Sequence, residues 1–199
     1  RIFPLSGISN TQTIMCDEYN FTATYQSDRY GFNNLDTIWD EKEIEYLIVG
    51  DSYAHSDCVE RKDGIAGNLE KLSNKNVLNL GYGGNGPLIE YASLREYLHL
   101  VNVKKLLWIY TESNDLSETN LGLELKQDIL IQYLNDLNFS QNLSSKQSEI
   151  NTVARVALKN EYNSFYKTLD NKRFQIIKLY NLRNFLNNFK FQKGIIKLE

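Results

Sequence analysis

The chain has few of the residues that build metal centres and none of the runs that cross membranes. Its 199 residues include two cysteines, Cys16 and Cys58, two histidines, His55 and His99, and one methionine. With no Cys-x-x-Cys and no His pair at helical spacing, a structural zinc site is excluded as a reading. No cofactor is expected. Basic residues are not in excess: the net charge is −3 and no basic stripe is visible, which removes the electrostatic footprint of a nucleic-acid binder. No apolar run approaches the ~20 residues of a transmembrane helix. A signal-peptide pattern is missing too, but the first residue is Arg1 rather than Met. The expectation is therefore that an upstream segment has been removed, leaving an extracytoplasmic or membrane-anchored setting open. The cysteine pair reads as a disulfide in an oxidising compartment or as two buried thiols in a reducing one.

What is present is ordinary for a globular protein, with 42% hydrophobic and 24% charged residues in a length that suits one domain. Residues 1–40 lack helical periodicity and are rich in Asn, Asp, Ser, Thr and Tyr. They read as an extended lead-in with a short strand near Phe21 to Tyr25 and an ordered turn at Arg29-Tyr30-Gly31-Phe32-Asn33-Asn34. The remainder, 41–199, reads as the main domain, with a helical insertion over 122–192.

The organising stretch is Tyr46-Leu47-Ile48-Val49-Gly50-Asp51-Ser52-Tyr53. Its apolar run predicts a short strand buried on both faces. Residues 63–72 have a helical spacing, and Val77 to Leu80 form a second strand. Gly81-Tyr82-Gly83-Gly84-Asn85-Gly86 is then a loop whose backbone must approach something closely, and Pro87 starts a helix to about Leu100. Leu106 to Tyr110 form a third strand, followed by Thr111-Glu112-Ser113-Asn114-Asp115. Alternating strands and helices predict a parallel sheet whose three loops share one edge. Helices are predicted over 121–137 and 147–169, and again from Phe174 to Phe191. A last possible strand lies at Gly194-Ile195-Ile196, so the sheet is expected to lack its final strands.

A serine after Gly-Asp at a strand's carboxyl end reads either as a helix cap or as a nucleophile. Ester hydrolysis needs a hydroxyl to attack a carbonyl carbon and donors aimed at the oxygen that turns negative. The backbone N–H groups of Ser52 and Gly84, with the side-chain amide of Asn114, are of the right kind for that oxyanion hole.

At these residues the sequence resembles the SGNH (GDSL-type) hydrolases. The first block of that family is similar to Gly50-Asp51-Ser52, the second to Asn79-Leu80-Gly81-Tyr82-Gly83-Gly84, and the third to Glu112-Ser113-Asn114-Asp115. Asp28 to Asn34 is also similar to stretches in members associated with bacterial surface polysaccharides. The resemblance implies a flavodoxin-like three-layer α/β/α fold. It also implies a Ser52 nucleophile, with Gly84 (or Gly81 or Gly83) and Asn114 as oxyanion donors and Asp51, Asn79 and Asp115 in support. An acylated small molecule or carbohydrate, such as an O-acetylated glycan, is the implied substrate, with no cofactor.

Two departures matter. Glu112 stands where the family has Gly, which would narrow the pocket or place a carboxylate near it. The family's Asp-x-x-His block, carrying the general base, is not found. His55, three residues after Ser52, is expected to point away from its hydroxyl in a capping or surface role, and His99 is expected to be solvated. This chain alone is therefore expected to be weakly active or inactive. It is either part of a longer esterase or a non-catalytic relative that binds a glycan or a partner. Two further readings carry less. The Gly81–Gly86 loop before a helix would cradle an anion. Asp51, Asp115 and Glu112 would bind a hard metal ion, or else serve in turn hydrogen bonding and solvation.

Overall fold

A computed structural model describes residues 2–18 and 21–171. The chain divides into two units, residues 1–155 and 156–199. The first unit holds the sheet and the site. It begins with an antiparallel hairpin, β1 (Gln12–Glu18) and β2 (Phe21–Gln26). The strand predicted near Phe21 is present. Its partner β1 was not legible, because Gln12-Thr13-Ile14-Met15-Cys16 does not alternate cleanly.

The three predicted parallel strands follow as β3 (Ile44–Gly50), β4 (Val77–Asn79) and β5 (Val103–Ile109), in the order β4-β3-β5. Central β3 earns that position through its composition: Ile44, Leu47, Ile48 and Val49 are all fully buried. Its side chains alternate between two cores. Leu47 and Val49 join Leu78, Leu80, Leu88 and Ala92 on one face, while Ile48 joins Ala54, Ala66 and Val77 on the other. The first core is closed by α3 (Pro87–Tyr97) and α5 (Asp128–Asn135), the second by α1 (Ser52–His55) and α2 (Ile65–Ser73). This is an α/β architecture with a parallel sheet between helices. Strand β5 starts three residues before the predicted Leu106. Lys104 and Lys105 fit in it because they reach Glu43 and Glu45 at 2.5 and 2.7 Å.

The predicted helix over 121–137 is corrected. It is broken into α4 (Leu121–Glu124) and α5, and Leu125, Leu134 and Leu137 are exposed while Leu130 and Tyr133 are buried. The break has a cause: Glu124 turns inward and accepts the Gly86 and Leu88 N–H groups at 2.7 and 2.9 Å. Helix α6 (Gln147–Asn171) covers the predicted 147–169 and runs into the second unit. The readings over 174–191 and 194–196 lie outside the described residues.

The lead-in is held by one carboxylate. Asp28 is fully buried, with Oδ1 accepting the N–H groups of Tyr30 and Phe32 and Oδ2 accepting Asn34 Nδ2 and Trp39 Nε1, all at 2.8–2.9 Å. Asn34 in turn exchanges two 2.9 Å hydrogen bonds with the backbone of Asn79, copying a strand partner at the β4 edge. Gly31, at φ +88°, takes the one turn conformation that lets the chain lie against Gly7, where any Cβ would sit 2.1 Å from the Gly7 carbonyl oxygen. Cys16 and Cys58 form a disulfide that ties the hairpin to the segment after α1.

Replacing Asp28 with alanine removes the acceptor of four donors, three of them buried, and a loss of about 3 kcal/mol in urea unfolding is expected. A loss below about 1 kcal/mol would show that the lead-in does not depend on this carboxylate.

Candidate functional site

The site is built at the carboxyl ends of the three parallel strands. At the end of β3, Gly50 leads into Asp51, which caps α1 by accepting the Tyr53 N–H at 3.0 Å. Capping is therefore the structural role of Asp51, not of Ser52. Ser52 opens α1 and is half-buried, and its hydroxyl makes no hydrogen bond to any described residue.

The second loop lies directly on α1. Asn79 Oδ1 accepts the Gly81 N–H at 2.8 Å and its Nδ2 donates to the Ala54 carbonyl at 2.6 Å, while the Tyr82 N–H donates to the Gly50 carbonyl at 3.2 Å. A Cβ on Gly81 would sit 2.8 Å from the His55 backbone nitrogen. Gly84 is exposed at φ +83° with nothing within 4 Å on its Cβ side. The N–H groups of Ser52, Gly83 and Gly84 donate to no described residue.

The third loop closes the set. Asn114 Nδ2 donates to Asp51 Oδ2 at 2.9 Å and Thr111 Oγ1 to Asp51 Oδ1 at 3.3 Å. Asp115, fully buried, accepts the Thr111 N–H at 2.6 Å. Ser52, the glycine loop and Asn114 thus meet at one edge, as the strand order predicts, and Asp51 is the bridge between β3 and β5. One amide hydrogen of Asn114 is committed to Asp51, which leaves one for an oxyanion. Glu112 is exposed.

His55 differs from expectation. It is buried rather than on the surface, with Nδ1 2.7 Å from Asp57 Oδ1, its ring stacked on Tyr82 at 4.9 Å and edge-on to Tyr25. It makes no hydrogen bond to Ser52, and its Nε2 is buried without a partner. Asp57 also lies against the second loop, 2.9 Å from where a Gly83 Cβ would stand. His99 is exposed in the short turn after α3. The anion-cradle reading of the glycine loop is overturned. The amino terminus of α3, where an anion would sit, is already filled by the Glu124 carboxylate. Among the described residues no three His, Cys, Asp or Glu side chains gather closely enough to hold a metal ion.

Sequence reasoning named Asp51 and Asp115 but missed Glu90 and Glu124, the other two carboxylates beneath the site. Asp51, Glu90, Asp115 and Glu124 are all buried, and none has a cationic partner among the described residues. Glu90 accepts the Trp108 indole N–H on Oε2, and its Oε1 is buried and unpartnered, as is Asp115 Oδ1. Burial first, then the negative charges of Asp115, Asp51 and Glu124, push the Glu90 carboxyl up to about 7 against the indole's opposing pull. Burial also raises Asp115 and Glu124. In sequence Glu90 reads only as an acid in the first turn of a helix, so nothing there announced its burial.

A carboxyl whose pKa is raised on folding holds its proton more tightly in the native state. Its stabilising effect is therefore complete below the ordinary range and lost as pH rises toward 7. Thermal melting should show stability falling from about pH 4.5 to 7. Glu90→Gln should flatten that fall and stabilise the protein at pH 8 by up to about 3 kcal/mol. An unchanged slope would remove Glu90 as its source.

Compared with known proteins, the chain matches no family model, no curated protein and no solved structure.

Proposed function

We propose that this chain carries the nucleophile and oxyanion side of a serine ester hydrolase of the SGNH type, acting on O-acyl groups of a carbohydrate or small molecule. The observation that carries the reading is the convergence of an unbonded Ser52 hydroxyl, the free N–H groups of Ser52 and Gly84, and the Asn114 amide at one sheet edge. In this mechanism the Ser52 oxygen attacks the ester carbon and its proton passes to a base. The carbonyl oxygen becomes negative against the three donors, and collapse breaks the carbon–oxygen bond to release the alcohol. Water then attacks the acyl-serine and releases the acid. Asp51 is the positioning residue, since it holds both the start of α1 and the Asn114 side chain. The Cys16–Cys58 disulfide favours an oxidising setting, where surface glycans are found.

A second reading has its own support. No described residue accepts a hydrogen bond from Ser52, and a serine without a base is a weak nucleophile. The alternative is a non-catalytic relative that binds an acylated glycan in the same edge. Under the first reading, acetate release from an O-acetylated xylan is slow but measurable. It is lost in Ser52→Ala and reduced about 100-fold or more in Asn114→Ala. Glycan binding that survives in Ser52→Ala, with no acetate release by either protein, would establish the second reading.

A further inference from the structure

Among the described residues two carboxylate oxygens are buried without a hydrogen-bond donor, Oε1 of Glu90 and Oδ1 of Asp115. Their side chains are sealed from solvent, at 1% and 0% exposure. An unsatisfied buried acceptor is costly, most of all when it is charged.

The hydrogen bonds around these two oxygens form a closed circuit. Glu90, in the first turn of α3, accepts the Trp108 indole N–H from β5 on Oε2. Just past β5, the Thr111 N–H donates to Asp115 Oδ2 at 2.6 Å. The Asp115 carbonyl accepts the Leu121 N–H at 3.3 Å where α4 begins. Glu124 of α4 then returns to the Gly86 and Leu88 N–H groups at the start of α3. Glu90 and Asp115 therefore belong to one ring of contacts. Each uses one oxygen to hold the ring and leaves the other bare.

No cation of the packed elements enters this ring. From the end of β3 comes Asp51 and from α4 comes Glu124, while Asp115 is the negative charge that acts most on Glu90. Arg95, further along α3, is turned to the carbonyls of Tyr133, Leu137 and Phe139. From α5, the Tyr133 hydroxyl is committed to Glu96, and Asp128 is exposed. Two carboxyl groups that share a buried site keep one proton between them, because both cannot ionise cheaply. A proton on Glu90 Oε1 has two acceptors without a donor in the turn after β5, Asp115 Oδ1 and Asn114 Oδ1. The carboxylate is the stronger of the two, since a hydrogen bond to an ionised acceptor is roughly twice as strong as a neutral one.

We propose that Glu90 and Asp115 share a single proton between Oε1 and Oδ1, and that this pair fixes the Thr111–Asp115 turn against α3. With the proton in place the pair carries one negative charge and joins the helix to the turn. When the proton leaves to solvent, two negative charges face each other and the turn is pushed from α3. Asn114 lies in that turn with its amide on Asp51. Glu90 is thus a positioning residue for the Asn114 donor. The pairing does not depend on the proposed activity; only its consequence for Ser52 does.

Carbon-13 NMR of the side-chain carboxyl carbons of the full chain, followed from about pH 4 to about pH 9, tests it. The Glu90 signal should move at about pH 7, and the Asp115 signal should move in the same step. In Asp115→Asn, which keeps an oxygen for the Thr111 N–H, the Glu90 midpoint should drop by about one pH unit or more. Glu90→Gln, whose amide still donates to Asp115, should hold the Asp115 signal flat through neutral pH. Hydrogen exchange should show Thr111 protection falling above that step in the wild type and not in Glu90→Gln. A Glu90 midpoint in the ordinary carboxyl range overturns the proposal. So does a Glu90 step that leaves Asp115 still, or one unchanged in Asp115→Asn. Thr111 protection that is the same in the wild type and Glu90→Gln across the step overturns the positioning role. None of these readouts involves Ser52, so an inert serine leaves them standing.

Discussion

The candidate site depends on one buried carboxylate. Asp51, 1% exposed, accepts the Tyr53 N–H, the Thr111 hydroxyl and the Asn114 amide. Without it, the end of β3 and the loop after β5 share no polar contact that fixes Asn114 against Ser52. The same device recurs through the fold. Asp28 gathers the lead-in, and Glu124 closes the amino terminus of α3. Glu96, fully buried, holds the 140–143 loop by accepting from Tyr133, Ser140, Gln141 and Leu143 at 2.5–2.9 Å. Among the described residues, none of these carboxylates is neutralised by a cation. Each is held by N–H and O–H donors, so loop geometry and charge burial are one constraint.

That constraint explains why acid strength and architecture are linked here. A buried carboxylate with several donors has its lone pairs satisfied, as Glu96 has with two N–H groups and two hydroxyls. Glu90 has one donor and three negative neighbours, and it holds its proton to about pH 7. It lies on the first turn of α3, directly after the glycine loop, and is bonded to Trp108 on the exposed edge strand. The site, the loop and the edge are therefore coupled through one polar cluster beneath them.

Much of the fold was legible in the sequence, for a simple reason. The three parallel strands contain short apolar runs and end at Gly50, Asn79 and Ile109, and each is followed by a loop or helix with its own signal. That was enough to bring Ser52, Gly84 and Asn114 to one edge. Hidden from the sequence were features set by tertiary contacts. The helix over 121–137 broke because Glu124 is required inside, a demand its own periodicity does not reveal. Strand β5 was underestimated because its lysines are satisfied across the sheet. The burial of His55 follows from Tyr25 and Tyr82, which come from the hairpin and the glycine loop. The disulfide required knowing that the hairpin folds back over α1.

The central claim is that Ser52 is a nucleophile facing ready oxyanion donors, and its most direct test is covalent. A fluorophosphonate probe carries a tetrahedral phosphorus that accepts a serine oxygen and expels fluoride, leaving a polarised phosphoryl oxygen where the ester oxyanion would sit. Intact mass followed by peptide mapping should find a single adduct on Ser52, forming more slowly in Asp51→Ala and Asn114→Ala. No adduct on Ser52 under conditions that label a reference serine esterase would contradict the account.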